Sequence, residues 1–175
     1  MKLSKYILSF LIGFLFLNTS VAQTFNRKID SMLFDRVNKY RKDSGKSEMF
    51  YSKDAYFLSK IQAEWMYKYN KFSHYREDTF YNKENVKFFN PDKRCGYYFG
   101  LKYIFAGENI TRVDKSYNLS DEQIAEYAFL AFEESPGHRF SMLDEYNNGK
   151  FYGGFCTYET PKYVYIVQTF LFPLK

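Results

Sequence analysis

The hydrophobic period of this chain changes along its length, helical at first and two-residue at the end, and that order restricts the folds open to it. From Ile29 to Arg41 the residues Ile29, Leu33, Val37 and Tyr40 recur three or four apart, one face of a helix that Asp43-Ser44-Gly45 ends. Ser52 is placed to cap a second helix, in which Ala55, Leu58, Ile61 or Gln62, Trp65, Met66 and Tyr69 keep the same period. Phe72 to Pro91 is polar, aromatic and aperiodic and reads as a long irregular connection; Tyr97 to Phe105 reads as a strand. Ser120 with Gln123 forms a capping box and opens a helix through Ile124, Ala128 and Phe132. Ser135-Pro136 restarts a short helix, with Ser as cap and Pro at its first position. The tail reads as a hairpin, Phe151 to Tyr158 and Tyr163 to Phe172, with Val164, Ile166 and Gln168 alternating against Tyr165 and Val167. This order predicts an α+β domain with a small antiparallel sheet between helical layers.

The first residues read differently. Lys2 and Lys5 precede an almost wholly apolar run, Tyr6 to Leu17, and small residues follow at Ser20 and Ala22. That is the pattern of a secretory signal peptide over residues 1–22, with cleavage between Ala22 and Gln23. A membrane anchor is the competing reading, but the run falls short of the ~20 residues a spanning helix needs. No Cys follows it to carry a lipid, and no second apolar run appears downstream. The expectation is an exported protein, periplasmic or extracellular, without a membrane span once the signal is removed. The signal carries two of the 25 bases and none of the 20 acids, which lowers the net charge from +5 to +3. With no basic run either, nucleic acid is not expected as a partner. Export places Cys95 and Cys156 in an oxidising compartment, where they are either bridged or two buried thiols. A bridge is the expectation, with the 97–105 and 151–158 strands pairing to bring the sulfurs together. Aromatics reach 22% of the chain, and Tyr, with one polar end, serves surfaces as well as cores.

Only two histidines occur in the chain, so imidazole chemistry rests on His74 and His138. Both lie in short polar segments with apolar surroundings: Phe72-Ser73-His74 and Ser135-Pro136-Gly137-His138-Arg139, with Gly107-Glu108-Asn109-Ile110 between them. Together with Asn38-Lys39-Tyr40-Arg41, Phe132, Tyr152-Gly153-Gly154-Phe155 and Gln168-Thr169-Phe170, these segments resemble the CAP superfamily in its compact bacterial form. That superfamily includes cysteine-rich secretory proteins, antigen 5 and plant pathogenesis-related proteins. The resemblance runs from about Ile29 to Phe172, and it assigns residues 27–175 to one CAP domain.

The resemblance implies a three-layer α-β-α sandwich with a central cleft. It places His74, Glu108, His138, Ser135, Arg139 and Asn109 in or beside that cleft. His74, His138 and Glu108 match a family set able to hold a divalent cation; the second family acid is replaced by Ser135. Two imidazoles and one carboxylate suit zinc by ligand type, bound weakly, and no cofactor is required. A hydrogen-bonded cluster in which Glu108 orients the imidazoles is the other reading of the same residues. Ser135 has a sufficient role as a helix cap, and no Gly-x-Ser-x-Gly elbow supports it as a nucleophile. No catalytic residue is assigned. The function expected is a secreted, monomeric, non-enzymatic binding module for a lipid, glycan or protein ligand. Its alternatives are a metal-dependent hydrolase or protease using the same cleft, and a structural domain of the cell envelope.

Overall fold

The computed structural model describes residues 24–76, 88–143 and 152–174. The expected signal peptide lies outside them. In chain order the elements are β1 (Thr24–Phe25), α1 (Arg27–Asp43), β2 (Phe50–Tyr51) and α2 (Lys53–Lys68). Then follow α3 (Pro91–Phe99), β3 (Tyr103–Asp114), α4 (Asp121–Glu134), α5 (Pro136–Leu143), β4 (Tyr152–Glu159) and β5 (Tyr163–Pro173). The caps anticipated at Ser52 and Ser120 are formed: Ser52 Oγ accepts from Ala55 N–H, and Ser120 and Gln123 close a reciprocal capping box. Ser135 has the extended backbone of a cap, and its carbonyl accepts the first helical bond of α5, from Arg139 N–H at 2.8 Å.

The sheet runs β1-β4-β5-β3, with β2 adding a short parallel pair to β4; its other pairings are antiparallel. Strand β5 is central, and its alternation sorts the core. Val164, Ile166, Phe170 and Phe172 pack with Ile29, Leu33 and Val37 of α1 and Ile124, Ala128 and Phe132 of α4. Tyr165, Val167 and Leu171 pack on the opposite face, with Ala55, Leu58, Ala63 and Met66 of α2 and Cys95 of α3. Both faces are covered because each alternating set is apolar, and the result is the expected three-layer α-β-α sandwich.

Gly154 fixes how close α2 lies to the sheet. A Cβ there would stand 2.5 Å from Tyr56 N and 2.9 Å from Tyr56 Cα, backbone that cannot swing aside, whereas at Gly153 it would meet only the flexible Met49 side chain. Gly154→Ala is therefore expected to destabilise the fold by at least about 1–3 kcal/mol. An unchanged urea midpoint would mean that α2 is free to lift off the sheet.

Two expectations are corrected. The segment from Tyr97 does not run as a strand to Phe105: it is helical through Phe99, and β3 begins at Tyr103. The helix starts on Asn90, whose Oδ1 accepts from Lys93 N–H at 2.8 Å, with Pro91 at its first position. Nor does β3 pair with β4; β5 lies between them. The disulfide fails for the same reason. Cys95 sits on α3 in the cluster of Ala106 and Leu171, and Cys156, opposite Val167, sits in that of Ala63, Met66 and Ile110; both thiols are free and buried. Leu171 and Val167 are four residues apart on one strand, about 13 Å, while a bridge needs Cα atoms within about 7 Å. Burial pushes the Cys95 thiol up to about 11 and Cys156 higher still, so neither is a ready thiolate at neutral pH.

Candidate functional site

Strand β3 is the outer strand of the sheet beside β5, and two neighbouring residues on it organise the site. Successive side chains on a strand point to opposite faces. Glu108 lies on the side of Ala106 and Ile110, which pack with the α2 and α3 layer; Asn109 lies on the side of Val113, which packs with α1 and α4. The Gly-Glu-Asn motif thus serves both helical layers at once.

On the α2 side, His74 follows the end of that helix and is held by its backbone and by its ring. Gln62, fully buried on α2, donates from Nε2 to the Ser73 carbonyl at 2.7 Å and accepts from Arg76 Nε at 3.1 Å. Arg76 also donates to the Ile61 carbonyl at 2.9 Å and stacks over Trp65. These bonds fix residues 73–76 against α2. The ring Nδ1 of His74 then meets Glu108 Oε1 at 3.1 Å. Donation from Nδ1 to the carboxylate leaves Nε2 as the ring nitrogen turned away from Glu108. The His74 side chain is 33% exposed, so a ligand can approach it; that of Glu108 is 2% exposed.

The second oxygen of Glu108 belongs to a residue that sequence reasoning missed. Arg94 of α3, 1% exposed, donates from Nη2 to Glu108 Oε2 at 2.7 Å. Its Nη1 donates to the carbonyls of His74 at 3.2 Å and Phe88 at 3.3 Å. The same helix closes the edge of β3, since Asp92 Oδ1 accepts Ala106 N–H at 2.7 Å.

His138 comes from the other layer, on α5. Its ring packs edge-on against Phe132, centroids 5.3 Å apart, and stands 6.3 Å from the ring of His74. The two histidines therefore meet at the outer edge of the sheet. Only His74 is bonded to Glu108. His138 is placed through Asn109 instead, whose Nδ2 donates to the His138 carbonyl at 3.3 Å and to Gln168 Oε1 at 3.1 Å. His138 Nδ1 is buried, with no hydrogen bond of ordinary length. Burial, and then the neighbouring His74, hold this imidazole below its usual range, and the nearby Ala131 carbonyl opposes this more weakly. His138 is accordingly neutral at neutral pH.

The remaining candidates are more distant from this chemistry. Asn109 is fully buried and positions rather than lines the cleft. Ser135 and Pro136 set the start of α5. Arg139 is exposed and donates to the Glu133 carbonyl at 3.4 Å, at the end of α4. The Asn-x-x-Arg of α1 also proves to be scaffold. Asn38 exchanges two hydrogen bonds with the Met49 backbone, and buried Arg41 donates to the Ser47 and Met142 carbonyls at 2.8 and 2.6 Å.

The donor set does not fit a resident cation. Both carboxylate oxygens of Glu108 are engaged, one by a guanidinium, and His74 has one nitrogen left. Among the described residues no three of His, Cys, Asp or Glu are grouped to hold a metal ion.

Three comparisons with known proteins bear on this arrangement. The chain is similar to an outer surface protein from Borrelia burgdorferi, at 12% identity and a TM-score of 0.65, over 87% of this chain and 98% of that one. It is also similar to an extracellular protein containing an SCP domain from Bacillus anthracis str. Ames, at 18% identity and a TM-score of 0.58. That match covers 83% of this chain and 41% of the other. At these identities the likeness is one of fold. A sequence comparison with curated proteins gave no match. The model of the cysteine-rich secretory protein family matches residues 34–170, a span that holds both histidines, Glu108 and Arg94. The chain belongs to the CAP family of cysteine-rich secretory proteins.

Proposed function

We propose that this protein is an exported binding module of the CAP family that holds a ligand at the His74–His138 edge of its sheet and turns nothing over. The engagement of Glu108 carries this reading. A hydrolytic centre needs a free carboxylate or an activated water, and both oxygens of Glu108 are committed to His74 and Arg94. What remains for a ligand is hydrogen bonding at His74 Nε2. Exposed rings adjoin both histidines in sequence: Phe72 and Tyr75 beside His74, and Phe140 two residues after His138. A polar centre with aromatic neighbours suits a partner that brings both a donor group and apolar surface, in a lipid, a glycan or a protein. Descriptions of the similar proteins as outer-surface and extracellular support export.

The test is native mass spectrometry of the full-length protein purified from its secreting cells, alongside peptide and ester hydrolysis with and without added zinc. A co-purifying ligand that is lost in His74→Ala, with no turnover in either assay, is the expected result. Zinc-dependent cleavage abolished by Glu108→Gln, with the fold intact, would make the protein a hydrolase instead.

A further inference from the structure

We infer that Arg94 is the cleft's own cation, standing in place of a metal and keeping divalent ions out. This rests on reading the cleft as a binding site rather than a hydrolytic one, and it adds a reason for the cleft to exclude metal. Glu108 and Arg94 are both almost wholly buried, and their contact is 2.7 Å. The guanidinium is held by more than the carboxylate, since the His74 and Phe88 carbonyls each accept one of its hydrogens. It is therefore built into the wall of the site, with three acceptors arranged around a planar fork.

A divalent ion arriving between His74, His138 and Glu108 meets three obstacles. It has to take a carboxylate oxygen that already has a charged partner. It has to sit beside a fixed positive charge in surroundings where water screens poorly. And if it draws Glu108 away, it leaves a buried guanidinium with two neutral carbonyls as its acceptors among the described residues. Arginine does not deprotonate in proteins, so no pH change in the working range opens the site. Remove the guanidinium, and the arithmetic reverses. A buried carboxylate is left without its cation, bonded to His74, whose ring stands 6.3 Å from that of His138. Two imidazoles and a carboxylate are the ligand types of an open zinc site, and the three are not grouped as one ligand set while Arg94 holds the carboxylate.

The experiment is a calorimetric titration of zinc chloride into the full-length protein, for wild type, Arg94→Lys, Arg94→Gln, and Arg94→Gln with His138→Ala. Wild type and Arg94→Lys are expected to show no saturable binding that depends on the histidines. Arg94→Gln is expected to bind zinc at least about tenfold tighter, and the added His138→Ala to abolish that gain. If Arg94→Gln does not fold by itself, refolding it with zinc is expected to recover native circular dichroism. Micromolar zinc binding by wild type that His74→Ala abolishes would overturn the inference. So would an Arg94→Gln variant that neither gains affinity nor refolds with zinc. Zinc bound by wild type without any hydrolysis would defeat this inference alone and leave the binding-module reading standing.

Discussion

At pH 8, replacing Asp30 by Asn is expected to make the protein more stable than wild type, although Asp30 is buried and hydrogen-bonded. Asp30 lies in the first turn of α1, and its Oδ1 accepts Thr157 N–H at 2.6 Å, substituting for a strand neighbour where β4 has none. Oδ2 and Thr157 Oγ1 are buried with no hydrogen bond of ordinary length, although the Thr157 hydroxyl lies near enough to favour the ionised carboxylate. Burial dominates the carboxyl's behaviour and raises it from 3.8 to about 7; Thr157 and Arg27 pull the other way and do not prevail. The sign follows from proton counting. Between pH 4 and 7 the folded state holds a proton that the unfolded chain has released, so stability falls as pH rises through that window and levels off above it. The rise from 3.8 to about 7 corresponds to up to roughly 4 kcal/mol at pH 8. The position near a helix N-terminus returns a few tenths of that to the ionised form. Asn keeps the acceptor for Thr157 N–H, removes the charge, and puts an N–H group in place of Oδ2, with Thr157 Oγ1 near it as an acceptor. Urea midpoints at pH 5 and pH 8 decide it. The advantage of Asp30→Asn is expected to grow with pH, and a variant less stable than wild type at pH 8 would show that the ionised carboxylate is satisfied by a donor.

The contrast between what the sequence announces and what it conceals has one physical origin. Helices α1, α2 and α4 are legible because their buried positions are mainly apolar and recur at the helical period, with caps at Ser52 and Ser120. Strand β5 is legible because both of its alternating sets are apolar, the mark of a strand covered on two sides. Helix α3 is hidden because the residues it buries are Arg94 and Cys95, while Tyr97 and Tyr98 remain exposed. A hydrophobic pattern has no means of marking a buried arginine. The only local signal was Asn90-Pro91-Asp92, a cap, a first-turn proline and an acid. The same blindness covers Asp30, which sits beside Ile29 at the start of an otherwise ordinary amphipathic helix. The site itself was legible only through resemblance. His74, Glu108 and His138 do converge, Glu108 bonding the His74 ring while its neighbour Asn109, on the other face of the strand, holds the His138 backbone.

Arg94→Met is expected to cost roughly 3–5 kcal/mol, and most of that loss to be recovered when Glu108→Gln is added. In wild type the desolvation of both ions is offset by their 2.7 Å contact and by the carbonyls around the guanidinium. Taking away the cation alone strands a carboxylate that is 2% exposed, with His74 Nδ1 as its remaining donor. Taking away both charges removes the penalty with the pair, because a neutral amide beside an apolar side chain has far less hydration to lose. The damage in the single variant is also expected to be local before it is global. Arg94 holds the His74 carbonyl, and Glu108 holds the His74 ring, so amide exchange at residues 73–76 should accelerate ahead of the sheet. Gln62 and Arg76 still tie that segment to α2, which limits the opening. A double-mutant cycle in urea gives the coupling directly. If the single and double variants lose the same stability, with a coupling under about 1 kcal/mol, the pair is solvated and Arg94 cannot be what secures the cleft. A coupling of several kcal/mol would mean that the residue least visible in the sequence sets both the stability of the site and its chemistry.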